Sequence, residues 1–282
     1  MSDAYCYLIT QNGDTTSNLS VFINSLSGDG PKDPNRSFNL KIADIDLENG
    51  RFYLANRNEP DRIQFHWRHA NTNLNSFLLA GKDVSATIES IQFDDGEEFS
   101  VQNGKGQFLY GPKGLVVNGL ELTTGRGHLA GELTFITSSA TNYSSFVDSV
   151  HMLGAIEYAA VAAEDIRYFS DAYPQFPTAL VKGRFDGTVN DLYLEDLEIE
   201  ALSHLEARGD LHLTKTTSGV NLHLETQKLY LQGQAEEAKQ IIGMFQDSLP
   251  EIIDRLGLIQ WQGAYNGGVY DFVTQSSFKS DL

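Results

Sequence analysis

The chain has 282 residues, with 38 acidic and 20 basic side chains and a formal net charge of −18 at pH 7. This charge repels the phosphate backbone of DNA and RNA, so we expect no nucleic-acid partner. Its single cysteine, Cys6, excludes an intrachain disulfide, and no apolar stretch reaches the roughly 18 residues of a membrane-spanning helix.

A leucine-rich phrase of the type L-x-L-x-x-L-x-L occurs three times, at residues 40–47, 115–122 and 192–199. Residues two apart on a strand share a face and residues three apart do not, so each phrase needs an irregularity at its centre. Asn118-Gly119 in the second copy predicts a two-residue hairpin. Ala43-Asp44 and Glu195-Asp196 in the other copies predict β-bulges. Either device places the four apolar residues of a phrase on one side.

Alternation of apolar and polar residues continues outside these phrases, for example at Phe52 and Leu54 and at Leu229 and Leu231. Turn dipeptides such as Asp186-Gly187 separate the alternating runs. One-sided strands at short, regular spacing favour antiparallel sheet over a βαβ architecture. The sequence therefore predicts a mainly β fold, a long curved antiparallel β-sheet of repeated units with one amphipathic helix.

Two segments depart from the strand pattern. Residues 143–150 could form one or two helical turns, while residues 151–169 could be helix by propensity or strand by their neighbours. Residues 235–256 have apolar side chains at helical spacing, which predicts an amphipathic helix that is kinked or split at Leu249-Pro250 and stopped by Gly257. This helix could cap an apolar groove or close one side of a β core.

Few residues point to chemistry. His66 and His69 are three apart, which on a strand sends them to opposite faces, and no cysteine or carboxylate cluster completes a metal site. Gly104-x-Gly106 does not open a helix, so it is typical of a turn and not of a dinucleotide loop. No G-x-S-x-G nucleophile elbow occurs. We expect no enzyme activity, no catalytic residue, no metal and no cofactor.

Several motifs together resemble one family. They are, in chain order, Gly13-Asp14-Thr15-Thr16-Ser17-Asn18-Leu19 with Phe22, Ile23 and Leu26; residues 38–53 ending in Phe52-Tyr53; Leu120, Leu122, Thr124, Leu129, Gly131 and Leu133; residues 164–169 before Pro174 and Pro177; Gly183, Phe185, Gly187 and Val189; and Leu256-Gly257, Gly263 and Asp271-Phe272. Over about residues 5 to 275 the chain resembles the TamB family of translocation and assembly proteins in its Bacteroidota form, part of the AsmA-like superfamily. The resemblance favours strand for residues 151–169.

The resemblance implies a non-enzymatic protein of the cell envelope. The family is anchored in the inner membrane by an N-terminal helix and spans the periplasm as a taco-shaped β-sheet. Its apolar concave face is thought to conduct phospholipid to the outer membrane, where it supports protein assembly with a TamA-type β-barrel. We expect a partial chain in the periplasm, with the anchor helix and the barrel-contacting region outside it and phospholipid acyl chains as partners.

We divide the chain into residues 1–37 (an AsmA-like lead-in), 38–142 (first β-repeat block), 143–177 (connector), 178–234 (second β-repeat block), 235–257 (helix) and 258–282 (start of a further β block). The predicted lipid-groove residues are Leu115, Val117, Leu120, Leu122, Leu129, Leu133, Leu192, Leu194, Leu197, Ile199, Leu205, Leu211, Leu213, Leu222 and Leu224. The alternative is a self-contained β-sandwich or β-solenoid adhesion module, in which these leucines form a dry interior.

Overall fold

The computed structural model describes residues 2–14, 18, 21, 39–58, 65–96, 99–138, 146–167, 175–243, 255–268 and 271–281. These residues form fourteen β-strands and a few short helices, which confirms the predicted mainly β class. They belong to two compact units, residues 1–112 with 116–125, and residues 113–115 with 126–282.

In the first unit the strands follow one another in the sheet in chain order. They are β1 (Tyr5–Thr10), β2 (Asn39–Asn56), β3 (Phe65–Ala80), β4 (Asp83–Asp94), β5 (Ser100–Gly111) and β6 (Gly114–Thr124), of which the first two residues fall in the second unit. β2 to β5 pair antiparallel, but β1 pairs parallel with β2. The expectation of a purely antiparallel sheet is wrong at this pair, because residues 11–38 are long enough for the crossover that parallel strands require.

The described residues of the second unit form eight strands and several short helices. They are β7 (His128–Ile136), α1 (Phe146–Ser149), β8 (His151–Val161), α2 (Ala163–Arg167), β9 (Ala179–Thr188), β10 (Asp191–Ala201), β11 (Leu205–Thr214), a 3-10 helix (Thr216–Asn221), β12 (His223–Gln234), α3 (Ala235–Ile242), β13 (Leu258–Gly267) and β14 (Phe272–Ser280). From β7 to β14 each strand pairs antiparallel with the next.

The third leucine phrase contains the predicted bulge. The register of β10 against β11 shifts between Leu194 and Leu197, and Asp196 has a φ of 49°. The shift keeps both leucines on one face of β10, because it adds the extra residue that restores the alternation.

The other two phrases differ from expectation. The hairpin predicted at Asn118-Gly119 is wrong, since β6 runs through it and Gly119 has a φ of 57°, the glycine conformation that also suits a bulge. The prediction of a bulge at Ala43-Asp44 is wrong, because the register of β2 against β3 does not shift there. The irregularity lies on the facing strand, where Ser76 has a φ of 56° and the register of β3 against β4 shifts.

The ambiguous segment divides into several elements. The helical turn expected within residues 143–150 is α1, and the preference for strand is confirmed for His151–Val161. It is wrong for Ala163–Arg167, which form α2 with Glu164 and Asp165 in the first turn, where the helix dipole favours acidic groups. Residues 168–170 lie outside the described residues.

The predicted amphipathic helix begins where expected. α3 starts at Ala235, and residues 244–254, including Leu249-Pro250, lie outside the described part. The chain leaves the sheet after Gln234 and returns at Leu258, which pairs with Gln234 directly. α3 is thus the start of an excursion at one end of the β12–β13 pair. Within the described part of the chain, no helix has the length and hydrophobicity needed to cross a bilayer.

Candidate functional site: apolar sheet faces

The strand register of the second unit aligns leucines across three strands. Leu192 of β10 lies opposite Leu213 of β11, and Leu213 lies opposite Leu224 of β12. Leu194 lies opposite Leu211 in the same pair of strands. Directly opposite residues of antiparallel strands point to the same side of the sheet. These opposed leucines therefore form apolar rows that run across the strands.

A further row crosses all eight strands of this unit. This row lies on the same face of the sheet as the leucine rows. Val181 and Phe185 are four residues apart on β9 and therefore point to the same face, and they lie opposite Ile199 and Leu194, respectively. The row consists of Leu129, Ala159, Val181, Ile199, Ala207, Leu231, Trp261 and Phe278. One face of the second unit is thus apolar from β7 to β14, and we call it the unit 2 face.

Most of the predicted groove residues of this unit lie on the unit 2 face. These are Leu129, Leu133, Leu192, Leu194, Leu197, Ile199, Leu205, Leu211, Leu213 and Leu224. Leu222 lies just before β12, two residues from Leu224, and Leu115 is a half-buried residue of β6. Leu197 is only 5% exposed, whereas the other predicted residues are half-buried.

The first unit has its own apolar face, which is rich in aromatic rings. Ring centroids lie 4.7 Å apart for Phe52 and Trp67 and 4.1 Å apart for the stacked rings of Trp67 and Phe93. Phe99 continues the series at 6.3 Å from Phe93. Offset or tilted aromatic contacts of this kind add to the stability that burial provides.

The predicted groove residues of the first unit lie next to glycines of β5. A Cβ added to Gly104 would lie 2.7 Å from Ile91 Cγ2 and 3.3 Å from Leu122 Cδ1, so both side chains cover this glycine from one side. A Cβ added to Gly106 would lie 3.4 Å from Val117 Cγ1. Leu120 follows Gly119 in β6 and is half-buried. The small residues of β5 thus make room for the apolar side chains of β6.

The opposite face of the second unit is charged. Arg184 contacts Glu195 at 3.4 Å and Asp196 at 2.6 Å, and Lys182 contacts Glu198 at 3.6 Å. These side chains are more than half exposed, so each pair contributes little to stability. A shallow depression of about 580 Å³ is lined mostly by polar residues, among them Tyr193, His212 and Glu225, and also by Leu194 and Leu211. The two faces of this sheet therefore differ sharply in chemistry.

The unit 2 face is only partly removed from water. Within this unit, the extensive contacts of each described strand are with its neighbours in the sheet, while α3 packs at β12 and α1 at β9. Phe272 is 49% exposed and Phe278 is 53% exposed. Val150 is the largest fully buried side chain among the described residues. Apolar rows that remain partly exposed are a surface to which another apolar group can bind.

Glu237 fastens α3 to the sheet. Its Oε1 accepts hydrogen bonds from the backbone N–H groups of Ser203 at 2.9 Å and His204 at 3.0 Å, and its Oε2 accepts one from Gln234 at 2.9 Å. Burial raises the pKa of Glu237, but these bonds, with a contact to the His204 ring, more than offset it, so the pKa lies below its usual value. One carboxylate thus joins the first turn of α3 to the β10–β11 turn.

The two candidate histidines do not converge. The His66 ring packs edge-on against Tyr53 with centroids 5.7 Å apart, whereas His69 Nδ1 lies 2.8 Å from Asp94 Oδ2. In the part of the chain that the structure describes, no group of three or more His, Cys, Asp or Glu side chains could hold a metal ion.

Sequence reasoning omitted several members of the unit 2 face from the groove. Phe185 and Trp261 share the rows of the predicted leucines, as do Met152, Ile156, Val181 and Leu231. The predicted set followed the leucine phrase and the leucines after it. Alternation alone would have found Phe185, between Arg184 and Asp186, and Trp261, between Gln260 and Gln262.

No family model, curated protein or solved structure matches this chain. The resemblance to TamB therefore rests on the sequence motifs.

Proposed function

We propose that this chain is a periplasmic segment of a TamB-like envelope protein that conducts phospholipid between the inner and outer membranes along its apolar sheet face. Lipid supply by this route would in turn support the assembly of outer-membrane proteins. The observation that supports the proposal best is the unit 2 face, whose apolar rows cross eight strands while the opposite face is charged.

The dimensions of the unit 2 face suit an acyl chain. Eight strands at a spacing of about 4.8 Å give a row of about 34 Å, and one leaflet of the hydrocarbon core is about 15 Å deep. A whole acyl chain therefore fits along a row. Each buried CH₂ group contributes about 0.8 kcal/mol. Transfer of a chain from lipid to the face exchanges one apolar environment for another, so movement along it needs no chemical step.

The proposed partners follow from phospholipid transport along the unit 2 face. Phospholipid acyl chains contact the rows, and the charged opposite face remains in water. An inner-membrane anchor and a TamA-type barrel belong to the proposal through regions of the protein outside this chain. No cofactor or metal is needed, because binding and release of an acyl chain break no covalent bond.

The test compares two adjacent residues of β10. The chain is produced in cells with a Gram-negative envelope and purified, and its bound phospholipid is extracted and quantified by mass spectrometry. Leu194→Asp places a charge on the unit 2 face, and Tyr193→Asp, whose side chain is 49% exposed on the opposite face, is the matched control. Leu197 is less suitable because it is 5% exposed, so a charge there would disturb folding as well.

We expect phospholipid to copurify with the unsubstituted chain and with Tyr193→Asp, and to be strongly reduced in Leu194→Asp. Circular dichroism must show the same strand content in both variants. A folded, monomeric chain that carries no phospholipid would contradict the proposal and favour the adhesion module. Equal lipid in both variants would contradict the assignment to the unit 2 face.

A further inference from the structure

A threonine with an unpaired hydroxyl lies among the leucines of the unit 2 face. Thr226 of β12 follows Leu224 by two residues, which places both on the same side of the strand, and it lies opposite Tyr265 of β13. Thr226 is 3% exposed, and among the described residues its Oγ1 is the one buried side-chain oxygen or nitrogen without a hydrogen-bond partner. An unpaired buried hydroxyl costs free energy, so its presence requires a physical reason.

The position of Thr226 is apolar in the equivalent strands. β8, β10 and β12 each contain a bulge of two residues where the next strand has one, at Glu157-Tyr158, Glu195-Asp196 and Gln227-Lys228. The residue before the bulge is Ile156 in β8 and Leu194 in β10, but Thr226 in β12. Valine has nearly the same shape as threonine and would fill the position without an unpaired polar group. Packing therefore does not require the hydroxyl.

The hydroxyls nearest to Thr226 across the strands are already paired. Tyr265 donates its hydroxyl to Gly268 O at 2.6 Å, and Thr274 Oγ1 donates to Ala264 O at 2.9 Å. The sheet thus provides carbonyl acceptors for these two side chains from its own backbone. Because Thr226 has no such acceptor among the described residues, its hydroxyl is available to a ligand.

Thr226 borders a low strip of the unit 2 face. Along the line of the bulges, glycines alternate with leucines, in the order Gly183, Leu197, Gly209, Leu229 and Gly263. Leu197 and Leu229 are 5% and 7% exposed, whereas Leu231 in the adjoining row is 36% exposed. A Cβ added to Gly209 would lie 3.4 Å from Leu229 Cδ1, so the leucine side chain lies against the glycine. The strip is therefore a floor between rows that stand higher.

The strip is long enough for an acyl chain that begins at Thr226. It continues from Gly183 through Ile156 of β8 to Gly131 of β7. Five strand spacings of about 4.8 Å separate β12 from β7, which gives about 24 Å. One leaflet of the hydrocarbon core of a bilayer is about 15 Å deep, so an acyl chain fits on this side of β12.

We propose that Thr226 Oγ1 donates a hydrogen bond to the ester carbonyl of a phospholipid whose acyl chain lies along this strip. The inference rests on the proposed function and adds one polar contact to an otherwise apolar path. An ester carbonyl accepts a hydrogen bond and has no donor of its own, so it complements a hydroxyl that lies between Leu224 and Leu229. A water molecule is a poorer partner, because a buried water needs several polar neighbours.

Binding requires a local rearrangement. Since Thr226 is 3% exposed, the side chains beside it must change rotamer to admit the carbonyl. The flanking Leu224 and Leu211 are half-buried, and a change of their rotamers leaves the strand pairing intact. The acyl chain replaces the apolar contacts that these side chains give up.

The test measures whether the chain distinguishes ester from ether lipids. The purified full chain is mixed with vesicles of equal parts diester phosphatidylcholine and its diether analogue, which has the same headgroup and chain length but no carbonyl. The chain is separated from the vesicles, and mass spectrometry quantifies both lipids bound to it. We expect the bound ester-to-ether ratio to be about two- to tenfold higher for the unsubstituted chain than for Thr226→Val, which keeps the shape but has no donor.

Two further variants separate the hydrogen bond from packing. Thr226→Ser keeps the hydroxyl and should keep the preference for the ester. Thr214→Val removes a hydroxyl beside Leu213, on the opposite face of β11, and should leave the ratio unchanged. In urea unfolding, Thr226→Val should be no less stable than the unsubstituted chain, because it loses only an unpaired group.

The outcomes distinguish this inference from the proposed function. Equal ratios for the unsubstituted chain and Thr226→Val, with both lipids bound, would overturn the hydrogen bond and leave lipid transport standing. Marked destabilisation of Thr226→Val would also overturn it, since the hydroxyl would then have a partner within the fold. A folded chain that binds neither lipid would contradict the proposed function, and the inference with it.

Discussion

Loss of the Glu237 carboxylate should destabilise the second unit. Its side chain is 13% exposed and accepts three backbone hydrogen bonds of 2.9 to 3.0 Å. A hydrogen bond contributes about 0.5–1.5 kcal/mol net, and more when one partner is charged. At these surface turns, water can hydrogen-bond to the N–H groups that lose the carboxylate, which recovers part of the lost free energy. We therefore expect Glu237→Ala to lower the free energy of unfolding by about 2–4 kcal/mol and Glu237→Gln, which keeps one acceptor oxygen, by about half as much.

The effect should depend on pH in a defined direction. The pKa of Glu237 is lower in the folded chain than the ordinary value of 4.5. Its stabilising contribution is therefore fully present above about pH 4.5 and is lost as the pH falls through the folded pKa. The difference in stability between the unsubstituted chain and Glu237→Gln should shrink as the solution is acidified through this range.

Tryptophan fluorescence during urea unfolding measures this effect unit by unit. The two tryptophans are Trp67 in the first unit and Trp261 in the second, so Trp67→Phe leaves a reporter of the second unit. Glu236→Gln is the matched control, since Glu236 is the exposed neighbour in the same helical turn, and it should change stability by less than about 0.5 kcal/mol. Equal effects of the two substitutions at neutral pH would refute the role of Glu237.

Two further predictions use other features of the chain. Gly183 has a φ of 150°, and a Cβ there would lie 3.1 Å from both Glu195 O and Leu197 Cα. Gly183→Ala should therefore lower the free energy of unfolding, measured in urea, by about 1–3 kcal/mol. Gly268→Ala is the control, since its Cβ would meet an ordinary contact at 3.4 Å, and an equal or larger effect of that substitution would contradict the prediction. Partial burial raises the thiol pKa of Cys6 above 9.0, so its alkylation at pH 8 should be slower than in urea, and equal rates would contradict that shift.

Periodicity was sufficient to predict the mainly β class and the sidedness of the strands. The rule that residues two apart share a face is local, and it correctly groups Leu192, Leu194, Leu197 and Ile199 around a bulge. The nature of each irregularity could not be predicted as well. Asn118-Gly119 suits both a hairpin and a bulge, and the choice depends on which strand lies alongside.

Other features depend on contacts that are distant in sequence. The parallel pairing of β1 with β2 joins segments separated by residues 11–38, and no local pattern specifies its direction. Glu237 looks like an ordinary acidic residue of a first helical turn, yet its partners Ser203 and His204 lie on another turn of the sheet. Phe185 and Trp261 join the leucine rows through strand register, which the spacing within one strand does not fix.

The most direct test of the account is photo-crosslinking on the two faces of the second unit. p-Benzoylphenylalanine would replace Phe185 on the unit 2 face or Tyr193 on the opposite face, so that an aromatic residue is exchanged for an aromatic residue at both positions. After irradiation in cells with a Gram-negative envelope, mass spectrometry of the intact chain should detect a phospholipid adduct at position 185 and none at 193. Adducts at both positions or at neither would contradict a lipid-carrying apolar face.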